Sequence, residues 1–250
     1  MTSPHPPLTL LHIDEHLVAI DKPPGLLVHR SRLAADVEVF ALQLLRDQIG
    51  SAVTPVHRLD RGTSGVLVFA RTPNAASALG LAFETGRVDK HYLALVRGWP
   101  EGAGVIDHPL ARDPELPSTG QTLLPSRTRW TRLAQAEWPV VSDARFASSR
   151  FALVHAQPET GRRHQIRRHF KHIAHPLVGD ATHGKGPLNR TMAEFLGLQR
   201  LWLHALQTTL PHPVTGELLT LRAEPGAEWG ALRARTGWMN AESTPATVWP

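Results

Sequence analysis

The chain has 250 residues, 42% of them apolar, with 27 Lys and Arg against 22 Asp and Glu and a pI near 10.4. That is chain enough for one large core or two small ones, and too apolar for disorder throughout. It has no cysteine, no run of about 18 apolar residues and no secretory signal at its start, which excludes disulfides, thiol chemistry and a helical membrane span, and suits the cytoplasm.

Residues 8–12 and 17–21, split by Asp14-Glu15-His16, predict a β-hairpin, broken afterwards by Lys22-Pro23-Pro24-Gly25. Over 36–49 the residues Val39, Phe40, Leu42, Leu44, Leu45 and Ile49 suit a helix that Gly50 stops. Next comes His57-Arg58-Leu59-Asp60-Arg61-Gly62-Thr63-Ser64-Gly65, then an apolar run at 66–70 that reads as a buried strand. Its composition alone is that of a turn. A turn does not need Arg58 and Arg61, however, and two cations beside Asp60 would keep the carboxylate ionised and offer donors to phosphate.

Asn74 reads as the N-cap of a helix running to about Glu84 and closed near Gly86. Residues 90–98 read as a strand. It holds Tyr92, the only tyrosine, which taken by itself is core packing. Residues 102–126 lack periodicity and predict a loop with one short strand at Val105-Ile106; loops of that length are functional or mobile. Two strands follow, at 127–138 and 150–157. Thr160-Gly161 then starts a helix running to about Ile173, ahead of Pro176. A second hairpin (201–209 and 218–221), a helix over 229–236 and a loose tail at 241–250 complete the chain. Many strands with few, separated helices predict an α+β fold with a mainly antiparallel mixed sheet and flanking helices.

The positive charge is concentrated. Between Arg145 and His175 seven Arg and Lys face one acid, Glu159, leaving 20 basic and 21 acidic residues elsewhere. A single patch therefore carries the whole excess, the footprint of a nucleic-acid contact, or else of a solvated basic helix. His164, His169, His172 and His175 in the same stretch raise a metal site. Arg167, Arg168 and Lys171 would repel the cation, and no carboxylate or cysteine completes the set, so no metal is expected.

Three motifs together carry a resemblance. His57-Arg58-Leu59-Asp60 with Thr63-Ser64-Gly65, then Lys90-x-Tyr92-x-Ala94-x-Val96-x-Gly98, then Thr160-Gly161-Arg162-x-His164-Gln165-Ile166-Arg167-x-His169 resemble the signatures of the RluA-type pseudouridine synthases. Residues 21–29, from Asp21 to His29, resemble the segment that opens that family's catalytic domain. The resemblance implies that Asp60 is the catalytic aspartate, that Tyr92 packs on the target base with Ile166 beside it, and that Arg167 contacts Asp60. Arg58 would fill the gap left by a flipped base, and Lys22, Arg61, Arg163 and Arg168 become phosphate candidates.

The implied reaction isomerises uridine in RNA without cofactor or metal. Likeness in further segments, such as Gly179-Asp180 and Val96-Arg97-Gly98-Trp99, points to a branch acting on tRNA at uridine 65. Ribosomal RNA is the alternative substrate, and a non-catalytic RNA-binding module the alternative class. A glycosidase is disfavoured because no second carboxylate motif pairs with Asp60. The chain departs from the family's pattern at Gly62, where the family has proline, and at 102–126. The resemblance implies a catalytic domain over 8–225, a C-terminal helix and tail at 226–250, and no S4-type RNA-binding domain in front. A monomer is expected.

Overall fold

The computed structural model describes residues 6–29, 39–141 and 145–240. They form an α+β fold in two compact units. One comprises residues 1–90 with 205–224, the other residues 91–204 with 225–250. Among the described residues, no helix is long and apolar enough to cross a membrane.

In the first unit, β1 (Thr9–Ile13) and β2 (Leu17–Lys22) make the expected hairpin, and β2 pairs antiparallel with β4 (Ser64–Ala70). A two-residue strand β3 (Thr54–Pro55) also joins β4, and the order continues from β4 to β11 (Leu203–Pro211), which enters this unit at Ala205, and β12 (Leu218–Arg222). Every residue of β4 is buried. Its Val66, Val68 and Ala70 pack with Ala75, Leu79 and Ala82, the i, i+4, i+7 face of α2 (Pro73–Glu84). Thr72, not Asn74, caps that helix: its hydroxyl accepts from the Ala75 N–H, and Pro73 follows where its missing N–H costs nothing. Helix α1 (Ala41–Ile49) ends as expected at Gly50 in the left-handed region, but starts at Ala41 because Phe40 is extended. Residues 36–38 of the expected helix lie outside the described residues. Gly65 is required. It has φ +106°, and a Cβ there would stand 2.2 Å from the Ala205 carbonyl oxygen.

In the second unit the order is β5 (Asp89–Arg97), β10 (Ser149–Pro158), β9 (Arg127–Trp138), β13 (Trp238–Asn240), all antiparallel, with β6 (Ala103–Asp107) also on β9. The first two residues of β5 belong to the first unit. Ile166 and Phe170 of α3 (Gln165–His172) pack with Trp130, Ala152 and Val154. That helix starts four residues later than Thr160-Gly161 suggest, from His164 in the left-handed region at φ 55°. Within 102–126 the chain forms β6 and a short hairpin of β7 (Leu110–Ala111) and β8 (Leu123–Leu124). Helix α4 (Gly186–Leu196) was not expected from the sequence.

The chain passes from the first unit back to the second between Glu224 and Pro225, and the residues that follow pack within the second unit. Trp229 of α5 (Ala227–Arg233) is buried edge-on to Trp202, and Glu228 pairs with Arg200. Trp238 stands edge-on to Trp138 while β13 extends the sheet. Trp229 and Leu232 thus join the second unit's core, where aromatic contacts that sequence periodicity does not display hold the segment.

Candidate active site

The residues singled out in the sequence divide between the units: Asp60 with Lys22, Arg58 and Arg61 in the first, Tyr92, Arg163, Ile166, Arg167 and Arg168 in the second. Asp60 is half-buried on the loop before β4, where its carbonyl accepts from the Thr63 N–H at 3.0 Å. The loop around it is pinned on several sides. The Arg61 carbonyl accepts from the Gly25 N–H at 2.8 Å and from the Lys22 ammonium at 3.3 Å, and Arg61 Nε donates back to the Gly25 carbonyl. Leu59 is buried beside it, and Arg58 is exposed.

Lys22 is fully buried and donates to the carbonyls of Pro23, Leu26 and Arg61. This corrects its expected role. An ammonium enclosed by backbone carbonyls is a strut for the loop and does not reach phosphate. Arg61 likewise spends its Nε on Gly25, though its side chain remains exposed.

His57 fastens the other end of the loop. Its Nε2 accepts from the Val68 N–H at 3.0 Å, which fixes the proton on Nδ1, and its ring stacks on Phe83 with centroids 4.5 Å apart. Burial of the ring, and then the nearby Lys90 ammonium, pushes His57 down to about 3. Burial similarly lowers His169 and His183 to about 4. The unfolded chain takes up these protons near pH 6.5, the native chain only below about 4, so stability is intact above 6.5 and drains away as pH falls through that window. The thermal midpoint is expected to drop by roughly 5 °C or more between pH 7 and pH 5. His57→Gln, whose amide oxygen can still accept from Val68, should reduce that drop; an unchanged pH profile would show that His57 is protonated in the native loop.

In the second unit Tyr92 is half-buried on β5 opposite Ala156, packed against the same apolar cluster that contains Ile166. Arg167 is buried. Its Nε and Nη2 each donate to a different carboxylate oxygen of Asp180 at 2.8 Å. Burial would raise Asp180, but the bond and charge of Arg167, with the His183 N–H, hold it below the usual carboxylate range. Asp180 Oδ1 also accepts from the N–H groups of Thr182 and His183, and Asn189 clamps the same turn through Gly179 N–H and the Asp180 carbonyl. Gly179, at φ +76°, leaves no room for a Cβ against the Arg200 carbonyl. Asp180 is the partner of Arg167 that sequence reasoning did not assign, although Gly179-Asp180 was visible as a likeness.

The histidines of the basic stretch have separate partners. His164 Nδ1 lies 3.0 Å from His183 Nε2. His169, fully buried, must donate from Nε2 to the His108 carbonyl, so its Nδ1 accepts from the Thr128 hydroxyl. His175 Nδ1 donates to the Arg97 carbonyl. The loop at 102–126 lies against this same helix. Arg163 pairs with Asp113 and Glu115, Arg162 donates to the Pro125 carbonyl and Arg168 to the Ala111 carbonyl. Of the phosphate candidates, Arg163 therefore meets acids of its own chain and Arg168 is tied to the β7–β8 hairpin.

A family model described as RNA pseudouridylate synthase matches residues 16–172. A tRNA pseudouridine synthase C of Yersinia pestis is 44% identical over 236 residues, covering 92% of this chain and 91% of its own. One of Vibrio cholerae is 43% identical over 239 residues, covering 94% and 98%. Among solved structures, human RNA pseudouridylate synthase domain containing 1 superposes with a TM-score of 0.69 at 25% identity over 92% of this chain and 96% of that one. The human domain containing 4 gives 0.65 at 28% over 90% and 92%.

Proposed function

The chain belongs to the RNA pseudouridylate synthase family, and from that we propose that it converts a uridine of tRNA, at position 65, to pseudouridine, with Asp60 as the catalytic carboxylate. The observation that carries the reading is the Asp60 loop itself. Its backbone and flanking side chains are fixed by Lys22, Gly25, Arg61 and His57, and Asp60 is itself half-buried on that loop.

The reaction breaks the C1′–N1 bond, turns the uracil and joins C1′ to C5, exchanging only the C5 hydrogen with water. Breaking the glycosidic bond develops positive charge at the sugar, which a preorganised carboxylate stabilises. Asp60 supplies that charge. A base within a duplex is out of reach, so the uridine is flipped, stacked on the Tyr92 ring beside Ile166, and its vacancy filled by Arg58. Arg167 is the fixed cation of the site, its role being to keep the carboxylate ionised and oriented, and Asp180 is the positioning residue that holds Arg167. The reaction needs neither cofactor nor metal, and a cytoplasmic monomer suffices.

The test is to map pseudouridine in total RNA from cells with and without the gene. Loss of pseudouridine at tRNA position 65 alone is the expected result. Loss at a ribosomal RNA position instead would transfer the same chemistry to that substrate, and no loss anywhere would sink the assignment.

A further inference from the structure

The β7–β8 hairpin and the outer side of α3 line an open pocket of about 500 Å³ within the second unit. Its polar lining is His108, Ser118, Arg168, Lys171, His172 and His183, and no carboxylate lines it. The rest of its wall is apolar and comes mostly from the hairpin. His108 and His172 face each other as a parallel stack, with ring centroids 3.7 Å apart and planes inclined by 13°. Two imidazoles so close, beside a guanidinium and an ammonium, cannot both carry charge unless an anion joins them.

We propose that this pocket is a phosphate subsite that takes a backbone phosphodiester of the RNA substrate, the stacked His108 ring taking up a proton as it does so. The proposal rests on the RNA-modifying reading above, from which it takes its ligand. Arg168 and Lys171 supply permanent charge, Ser118 a hydroxyl and His172 a ring donor, while the His108 ring becomes cationic when the anion is present. The apolar wall suits the sugar face that accompanies a phosphodiester, so free inorganic phosphate should bind there more weakly than the RNA.

The charges around the pair are accounted for from each side. On α3 these are Arg168, Lys171 and the neutral His169, whose Nε2 donates to the His108 carbonyl. His183 is neutral too, held down by burial and then by Arg167, His164 and Lys171 against the pull of Asp180. The nearby acids of the hairpin segment, Asp113 and Glu115, are occupied by Arg163. Burial, then His172 and Arg168, holds His108 below its ordinary value in the free protein. A phosphate oxygen against the ring removes that penalty, so binding draws a proton from solution.

The experiment measures binding of a substrate tRNA to the full chain between pH 8 and pH 6, with proton uptake read in buffers of different ionisation heat, and follows the His108 ring by NMR. Wild-type affinity is expected to rise by about threefold to tenfold over that range, with the His108 titration moving upward in the complex. The His108→Gln/His172→Gln protein should lose that part of the proton uptake. Lys171→Ala, which leaves the rings in place, should weaken binding and reduce the salt slope by up to about one unit. Inorganic phosphate at millimolar concentration should move the His108 ring in the same direction. If phosphate moves it and tRNA does not, the ligand is not RNA and the proposal fails. It fails equally if proton uptake is the same in the double variant. Pseudouridine formation by the wild-type enzyme is scored separately, so a synthase without ring-linked uptake overturns the subsite alone, and ring-linked binding without pseudouridine overturns the assigned reaction alone.

Discussion

Asp60→Asn is expected to lower turnover by at least about a thousandfold, equivalent to roughly 4 kcal/mol of transition-state stabilisation. Asparagine is nearly isosteric with aspartate, and the loop has several anchors outside this side chain. Lys22 and Gly25 hold the Arg61 carbonyl, Arg61 holds Gly25, and His57 holds Val68. The loop therefore keeps its form while losing the negative charge that faces the developing cation at C1′. RNA affinity should persist or rise, because the substitution removes an anion from a loop that also carries Arg58 and Arg61. Tritium release from RNA labelled at uridine C5 reads the step directly, since that hydrogen leaves only when C5 has bonded to C1′. Release at near the wild-type rate would falsify the role given to Asp60.

The parts of this molecule legible in its sequence are those set by local chemistry. The apolar run at 66–70 reports β4, Gly50 reports the end of α1, and the hairpin of β1 and β2 follows from two apolar runs around Asp14. Errors begin where two local signals compete. Thr72-Pro73 outbids Asn74 as a cap because the proline presets the first helical turn. Helix α4 buries only Leu188 and Met192, too short a repeat to register, although Pro187 in its first turn and Gly197 at its end were readable signals. Lys22 was misjudged by reading its charge alone. On β2 it continues the face of Val18 and Ile20, and that alternation already places its stem in the core. Asp180 lies 13 residues from Arg167 with a loop between them, so no spacing rule joins the two before the fold does. The packing of Trp229 and Trp238 is hidden for the same reason, as it depends on Trp202 and Trp138, both distant in sequence.

Asp180→Asn is expected to affect both stability and turnover, and the pair of readouts separates them. Arg167 is buried and two of its nitrogens end on Asp180, whose own remaining capacity is filled by Thr182 and His183 N–H groups. The amide of asparagine keeps one acceptor but turns two donors and no charge toward the guanidinium. A buried cation that loses its partner costs about 3–5 kcal/mol, and at about 2–4 °C per kcal/mol the thermal midpoint should fall by roughly 10 °C. At a temperature where the variant is still folded, kcat should fall by at least about tenfold while KM changes little, because Arg167 would no longer be held in one orientation. The decisive comparison is Asp180→Leu combined with Arg167→Met. Replacing a buried ion pair by apolar residues of similar volume is often neutral for stability, so the double variant should recover part of the lost midpoint, less what the Thr182 and His183 N–H groups lose with their acceptor. Its turnover should not recover. A double variant that regains both stability and activity would show that Asp180 and Arg167 serve the fold alone, and that the cation of the catalytic site must be sought in another residue.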